Sequence, residues 1–290
     1  MNKITIDNGS NSIDIQMDHK KYIIGNNMQE KRNLELMIKQ FFQKTESEYR
    51  SENNLEAKIL MDGEAVSNKR MLFLEINPYY SLIEDCKLSS KSLVLKYLEK
   101  KLQDKIYFDT IRTLDILFQS LAEEANDDNL KIAFHEMNFK QLLKILEAYF
   151  SDDFQKDEFD LSYEDVILFQ IHLINEIIAH TEDKDMIIVS VNIPIITDTI
   201  IEEMKSTGHS FFFIFTNNYC EKMKLDEVIL SEEELYDLAD INYIFYEIEE
   251  TYNEIQQVEV LKENMKKFVK LNYTYKAFNV IDELTHFSNK

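Results

Sequence analysis

The residues best placed for chemistry lie in Tyr22–Ile38, YIIGNNMQEKRNLELMI. Apolar residues run up to Gly25, a short polar stretch follows, and Lys31 opens a helical pattern. A phosphate-binding loop has this outline: a glycine turn between strand and helix, spaced G-x-x-x-x-G-K-[ST]. Gly25 and Lys31 stand at the first glycine and the lysine, but Glu30 replaces the second glycine and Arg32 the hydroxyl residue. Glu30 would set a carboxylate among phosphate oxygens, and like charges ~4 Å apart repel by several kcal/mol near a protein surface. Arg32 offers no hydroxyl to a magnesium ion.

Two later segments carry the same message. In a transport-type P-loop ATPase, a buried strand ends in a carboxylate pair before proline, and the next ends in a histidine facing the γ-phosphate. Here MIIVSV (Met186–Val191) runs into Asn192-Ile193-Pro194, and FFFIF (Phe211–Phe215) into Thr216-Asn217-Asn218. Without a carboxylate at Asn192, nothing orients a metal or an attacking water. Gly25, Glu30, Lys31 and Asn192 therefore read as a degenerate nucleotide site, and the chain as a non-enzyme. No nucleophile elbow, Cys/His pair or spaced carboxylate dyad stands out elsewhere.

A second constellation is SDDFQKDEFDLSYEDV, Ser151–Val166. Asp157, Glu158 and Asp160, with Asp152, Asp153, Glu164 and Asp165 around them, are hard oxygen ligands of the kind Ca2+ accepts, at ~6–8 per ion. EF-hand spacing is absent, and a solvated acidic loop leading into a helix N-terminus explains the same residues. A third is basic. Lys262, Lys266 and Lys270 lie four apart with Lys267 adjacent, Lys91, Lys96, Lys100, Lys101 and Lys105 form a similar stripe, and Lys31 and Arg32 sit on the first helix. Such stripes are ordinary wet helix faces, yet in this chain they are where a phosphate backbone could settle. The six histidines have no ligand spacing, and Cys86 and Cys220 are isolated, which reads as a reduced cytoplasm.

These groups must be carried by a framework. Ile4/Ile6 and Ile13/Ile15/Met17 alternate around Asn8-Gly9, which indicates a hairpin. KYIIG, RMLFLEIN, MIIVSV and SFFFIFT read as strands, and Met28–Arg50 and DTIIEEMKSTG as helices. Between 88 and 180 the apolar spacing is helical, with Ser162 and Asp165 forming a capping box. The fold class expected is α/β, a mainly parallel sheet resembling a degenerate P-loop core, with an inserted all-α lobe. The domains are 1–87 with 181–248 as the α/β head, 88–180 as the lobe and 249–290 as a C-terminal helical extension.

Charge is uneven. Net charge is −22, but residues 1–105 carry 17 Lys/Arg against 16 Asp/Glu, residues 106–254 carry 9 against 34, and residues 255–290 carry 6 against 4. An acidic total opposes nucleic-acid binding unless the acids face away from the partner or sit on metal ions. The N-terminus MNKITIDNGS has no apolar leader, and FFFIF is too short for a bilayer, which needs ~20 residues, so no membrane partner is expected.

With those residues in view, the chain resembles the accessory, non-catalytic adaptation protein family of type II-A CRISPR systems. The resemblance rests on the defunct loop at Gly25–Arg32, the helical lobe, the run DEFDLSYEDVILFQIHLI, and the strands MIIVSVNIP and SFFFIFTN, in that order. It covers roughly Ile4 to Glu250, and the acidic run is its most specific piece. The chain looks like a longer branch, with its surplus in Gln43–Lys69 and at the C-terminus. The resemblance implies a homotetrameric ring that takes double-stranded DNA ends through a basic hole, supported by Ca2+, and assists spacer acquisition without cutting. It implies CRISPR integrase and effector nuclease proteins as partners. By position it implies Glu158 and Asp160 as metal ligands with Asp157 beside them, while Lys156 stands where the family has a further acid. A divergent P-loop NTPase and an acidic protein-interaction scaffold are the alternatives.

Overall fold

The computed structural model describes residues 2–42, 57–135, 139–150, 158–182, 185–252 and 257–276. The chain divides into two compact units: residues 1–75, 188–202 and 211–290 form the first, and residues 76–187 with 203–210 the second.

The first unit begins with the expected hairpin, β1 (Asn2–Asp7) and β2 (Ser12–Met17), paired antiparallel with Ile4 opposite Ile15 and Ile6 opposite Ile13. Period-two alternation sends Ile4, Ile6, Ile15 and Met17 to one buried face. β3 (Lys20–Ile24) leads to helix α1 (Met28–Phe42), which buries Lys31, Leu34, Met37 and Ile38. β4 (Lys58–Met61) and β5 (Glu64–Ala65) extend the hairpin into a four-stranded sheet ordered β2-β1-β4-β5. The extension of the hairpin by β4 and β5 was not expected from the sequence, because KILM does not alternate and β5 is two residues long. β6 (Met71–Ile76) closes the first segment, and Phe42 of α1 stacks on its Phe73 with ring centroids 4.9 Å apart.

In the second unit lie α2 (Leu82–Asp85), α3 (Leu93–Lys101), α4 (Phe108–Glu124), α5 (Phe139–Leu143) and α6 (Tyr163–Ala179). Ser162 and Asp165 exchange the bonds of the capping box that starts α6. α6 buries Ile167, Gln170, Ile171, Leu173, Ile174, Ile177 and Ile178, and packs against α3. Gln170 is fully buried but satisfied, donating to the Asn77 and Val166 carbonyls and accepting from the Asn77 amide.

β7 (Met186–Asn192), α7 (Asp198–Glu203) and β8 (Ser210–Phe215) follow, then β9 (Val228–Ser231) and β10 (Leu235–Asp237). Six strands form one sheet ordered β10-β9-β3-β8-β7-β6. β3 runs parallel to both β8 and β9, whereas β10 is antiparallel to β9, so the sheet is mixed rather than uniformly parallel. β8 lies between β3 and β7, and all its residues are buried on both faces of the sheet, which is why Phe211–Phe215 is an unbroken apolar run. α8 (Ile241–Tyr252) and α9 (Val258–Tyr273) complete the described chain.

Lys21, unremarked in the sequence, is fully buried in β3 and donates to the Gln16 and Asp226 carbonyls and to Asp237 Oδ1 at 2.5 Å. Burial outweighs the Asp237 carboxylate and holds the Lys21 ammonium below its usual range. Asp237 also accepts from the Gln16 and Ala239 amides, so this ion pair ties β2, β3 and β10 together. Among the described residues no helix is long and apolar enough to cross a membrane.

Candidate functional site

Gly25 follows β3 with φ +128, a conformation that side chains resist. A Cβ there would lie 2.3 Å from the Ser231 carbonyl oxygen and 2.8 Å from Glu232 Oε1, so the β9–β10 connection is pressed against the turn. The turn's polar groups are correspondingly engaged. Asn26 donates its amide to Glu232 Oε1 (3.1 Å), and Asn27 donates its amide to the Ser231 carbonyl (3.0 Å) and Nδ2 to the Glu232 carbonyl (2.6 Å). Asn27 Oδ1 then accepts from the Glu30 amide and caps α1. Where strand and helix leave backbone N–H groups for a bound anion, this chain supplies a carboxylate of its own.

Lys31 completes the pattern. It is only 4% exposed, and Nζ donates to the Thr216 carbonyl (2.6 Å) and Asn217 Oδ1 (3.0 Å). Burial pushes its pKa down to about 8, opposed by a smaller pull from Glu232. Expected from its position to face a duplex phosphate, Lys31 is here engaged by protein acceptors. Asn192, at the exposed end of β7, donates Nδ2 to Glu35 Oε2 at 3.3 Å. Glu30 is half-buried and accepts from Asn33. Thr216 and Asn218 bond to each other, and both reach the segment after β7, through Pro194 and Ile196. Gly25, Glu30 and Lys31 are thus gathered around internal contacts.

Of the proposed metal acids, Asp157 lies outside the described residues. Glu158 receives the amides of Leu82 (2.9 Å) and Ile83 (3.0 Å) and the Ser81 hydroxyl (3.4 Å), so it caps α2. Asp160 is exposed and has an interaction of its own. Among the described residues no three His, Cys, Asp or Glu side chains gather as a metal would need.

The remaining basic residues fall in both units. Arg32 is exposed on α1. On α9, Leu261, Met265, Val269 and Tyr273 are buried, which leaves Lys262, Lys266, Lys267 and Lys270 exposed beside them. Lys267 pairs with Glu263 at 2.9 Å and Lys270 with Glu221 at 2.8 Å. In the second unit, Lys96 and Lys100 on α3 are half-buried, and Lys96 has an interaction of its own. Lys100 lines a polar cavity of about 480 Å³ with Lys105, Asp104, His180, Glu182 and Asp185, a setting of mixed charge.

A crystal structure of Stu0660 of Streptococcus thermophilus shares this fold. The two chains superpose with a TM-score of 0.61 over 99% of each, at 13% sequence identity. At that identity the likeness is one of fold. No family model matches the chain, and no curated protein matches it.

Glu232 was absent from the sequence-derived site. It lies 206 residues from the amide it accepts, in a run of three glutamates that reads as a solvated turn. The available signal was indirect: a strand–glycine–helix turn lacking its second glycine leaves its amides in need of another acceptor.

Proposed function

We propose that this chain is a non-catalytic protein that binds double-stranded DNA ends in CRISPR spacer acquisition, as a homotetrameric ring in the cytoplasm supported by Ca2+. The observation that carries its non-catalytic character is the filled turn. Glu232 stands where an anion would sit, Lys31 is turned inward, and Asn192 offers no carboxylate. A disarmed nucleotide-binding framework accounts for all three. The DNA part is supported by the resemblance of the sequence to the type II-A accessory family, by the fold shared with Stu0660 along the chain, and by the exposed cations Arg32, Lys262 and Lys266. Lys267 and Lys270 add two further cations on α9 once Glu263 and Glu221 release them. Calcium has a place in this reading if Asp157 joins Glu158 and Asp160, replacing a helix cap with a metal bridge. CRISPR integrase and effector nuclease proteins are the protein partners it implies.

The test is solution mass with Ca2+ and with a chelator, followed by gel shift of linear duplex at low salt. Four-chain mass that falls on chelation, with duplex retained only by the assembled form, is the expected result. A monomer under both conditions that shifts no duplex overturns the proposal, and ATP turnover at an enzymatic rate overturns its non-catalytic part.

A further inference from the structure

The last turn of α9 converges on the filled turn. Tyr273 is buried at 7% exposure, and its hydroxyl donates to Glu232 Oε1 at 2.6 Å. That is the oxygen which accepts the Asn26 amide at 3.1 Å and which a Gly25 side chain would strike. One carboxylate oxygen therefore holds the turn and the helix at once. Two further contacts pin the same end of α9. The Tyr219 amide donates to the Tyr273 carbonyl at 2.7 Å, next to an isolated bridge between Tyr219 and Thr274, and Lys270 pairs with Glu221 at 2.8 Å. Burial, reinforced by Glu232, holds the Tyr273 phenol above its usual range, as expected of a donor locked onto a carboxylate.

We propose that Glu232 is a positioning residue that makes the conformation of the Gly25 turn and the seating of α9 a single equilibrium. In this arrangement a seat suited to an external anion has become the anchor of the C-terminal helix. Loss of the Glu232–Tyr273 contact loosens the turn, and loss of the Asn26–Glu232 contact loosens the helix, although the two elements are far apart in sequence. The inference stands on contacts inside the first unit and is independent of whether the chain binds DNA.

Hydrogen exchange with mass spectrometry on the full chain decides the matter, comparing Tyr273→Phe, Glu232→Ala, Glu232→Gln and the Glu232→Ala/Tyr273→Phe double variant. Tyr273→Phe removes only a hydroxyl, and its effect is read in the peptide covering residues 25–31 as well as in α9. A hydrogen bond to a charged group supports roughly tenfold slower opening. The expected result is about tenfold faster exchange in both segments for Tyr273→Phe and for Glu232→Ala, with no further increase in the double variant. Glu232→Gln, which keeps an acceptor oxygen, falls between wild type and Glu232→Ala. Faster exchange confined to α9 in Tyr273→Phe, or effects that multiply in the double variant, overturns the coupling. Should Glu232→Ala fail to fold, Tyr273→Phe read at residues 25–31 decides alone.

Discussion

Replacing Lys31 by methionine removes the cation at the centre of the filled turn and makes its burial measurable. The folded chain releases the Lys31 proton at about 8 because burial disfavours the charge, whereas the ordinary value is 10.5. Between those values the unfolded chain binds more protons, so stability rises with pH across that window. Below it, the charged ammonium lowers stability by at most about 3 kcal/mol, at ~1.4 kcal/mol per pH unit. Methionine abolishes the titration and leaves the Thr216 carbonyl and Asn217 Oδ1 without their donor, a pH-independent loss of about 1–3 kcal/mol. Urea unfolding of both proteins from pH ~7 to ~10 separates the two effects, since every other titrating group is shared. The wild type should gain about 2 kcal/mol relative to Lys31→Met across that range. A difference that stays flat would mean that Lys31 is solvated and the seat open, which refutes the reasoning.

Gly25→Ala should destabilise the chain by about 3 kcal/mol in chemical denaturation, since its Cβ meets the backbone oxygen of Ser231 at positive φ. An effect under about 0.5 kcal/mol would show that the β9–β10 connection yields freely. Asp237→Ala should cost about 3–5 kcal/mol by stranding the buried Lys21 ammonium, read by the same assay. If Lys262 and Lys266 face phosphates, changing both to glutamine should lower the salt slope of duplex binding by about 2, with titrations at several salt concentrations as the check.

Much of the framework was legible because burial writes itself into period. β1 and β2 alternate because one face is buried, while β7 and β8 are nearly continuous apolar runs because successive residues, which point to opposite faces, are all buried. Shorter pieces were not. β9 contributes only Val228–Ser231 between acidic stretches, β4 is four residues without alternation, and β5 is two residues long. The site was half legible. The departures from a phosphate-loop pattern at Glu30, Arg32 and Asn192 were legible, because those are identities at fixed spacing. What fills the turn was hidden, since the Glu232 and Tyr273 contacts depend on chain reversals that no local window contains. Glu158 shows the reverse case: its acidic neighbourhood suggested a metal, while the described structure gives it the amides of α2, an anion-seeking helix start.

The most direct test of the central claim compares linear duplex with covalently closed circular duplex of the same sequence, titrated at rising salt. A passive clamp on duplex ends predicts tight binding of the linear form alone, falling steeply as salt is added. Equal affinity for the closed circle contradicts it.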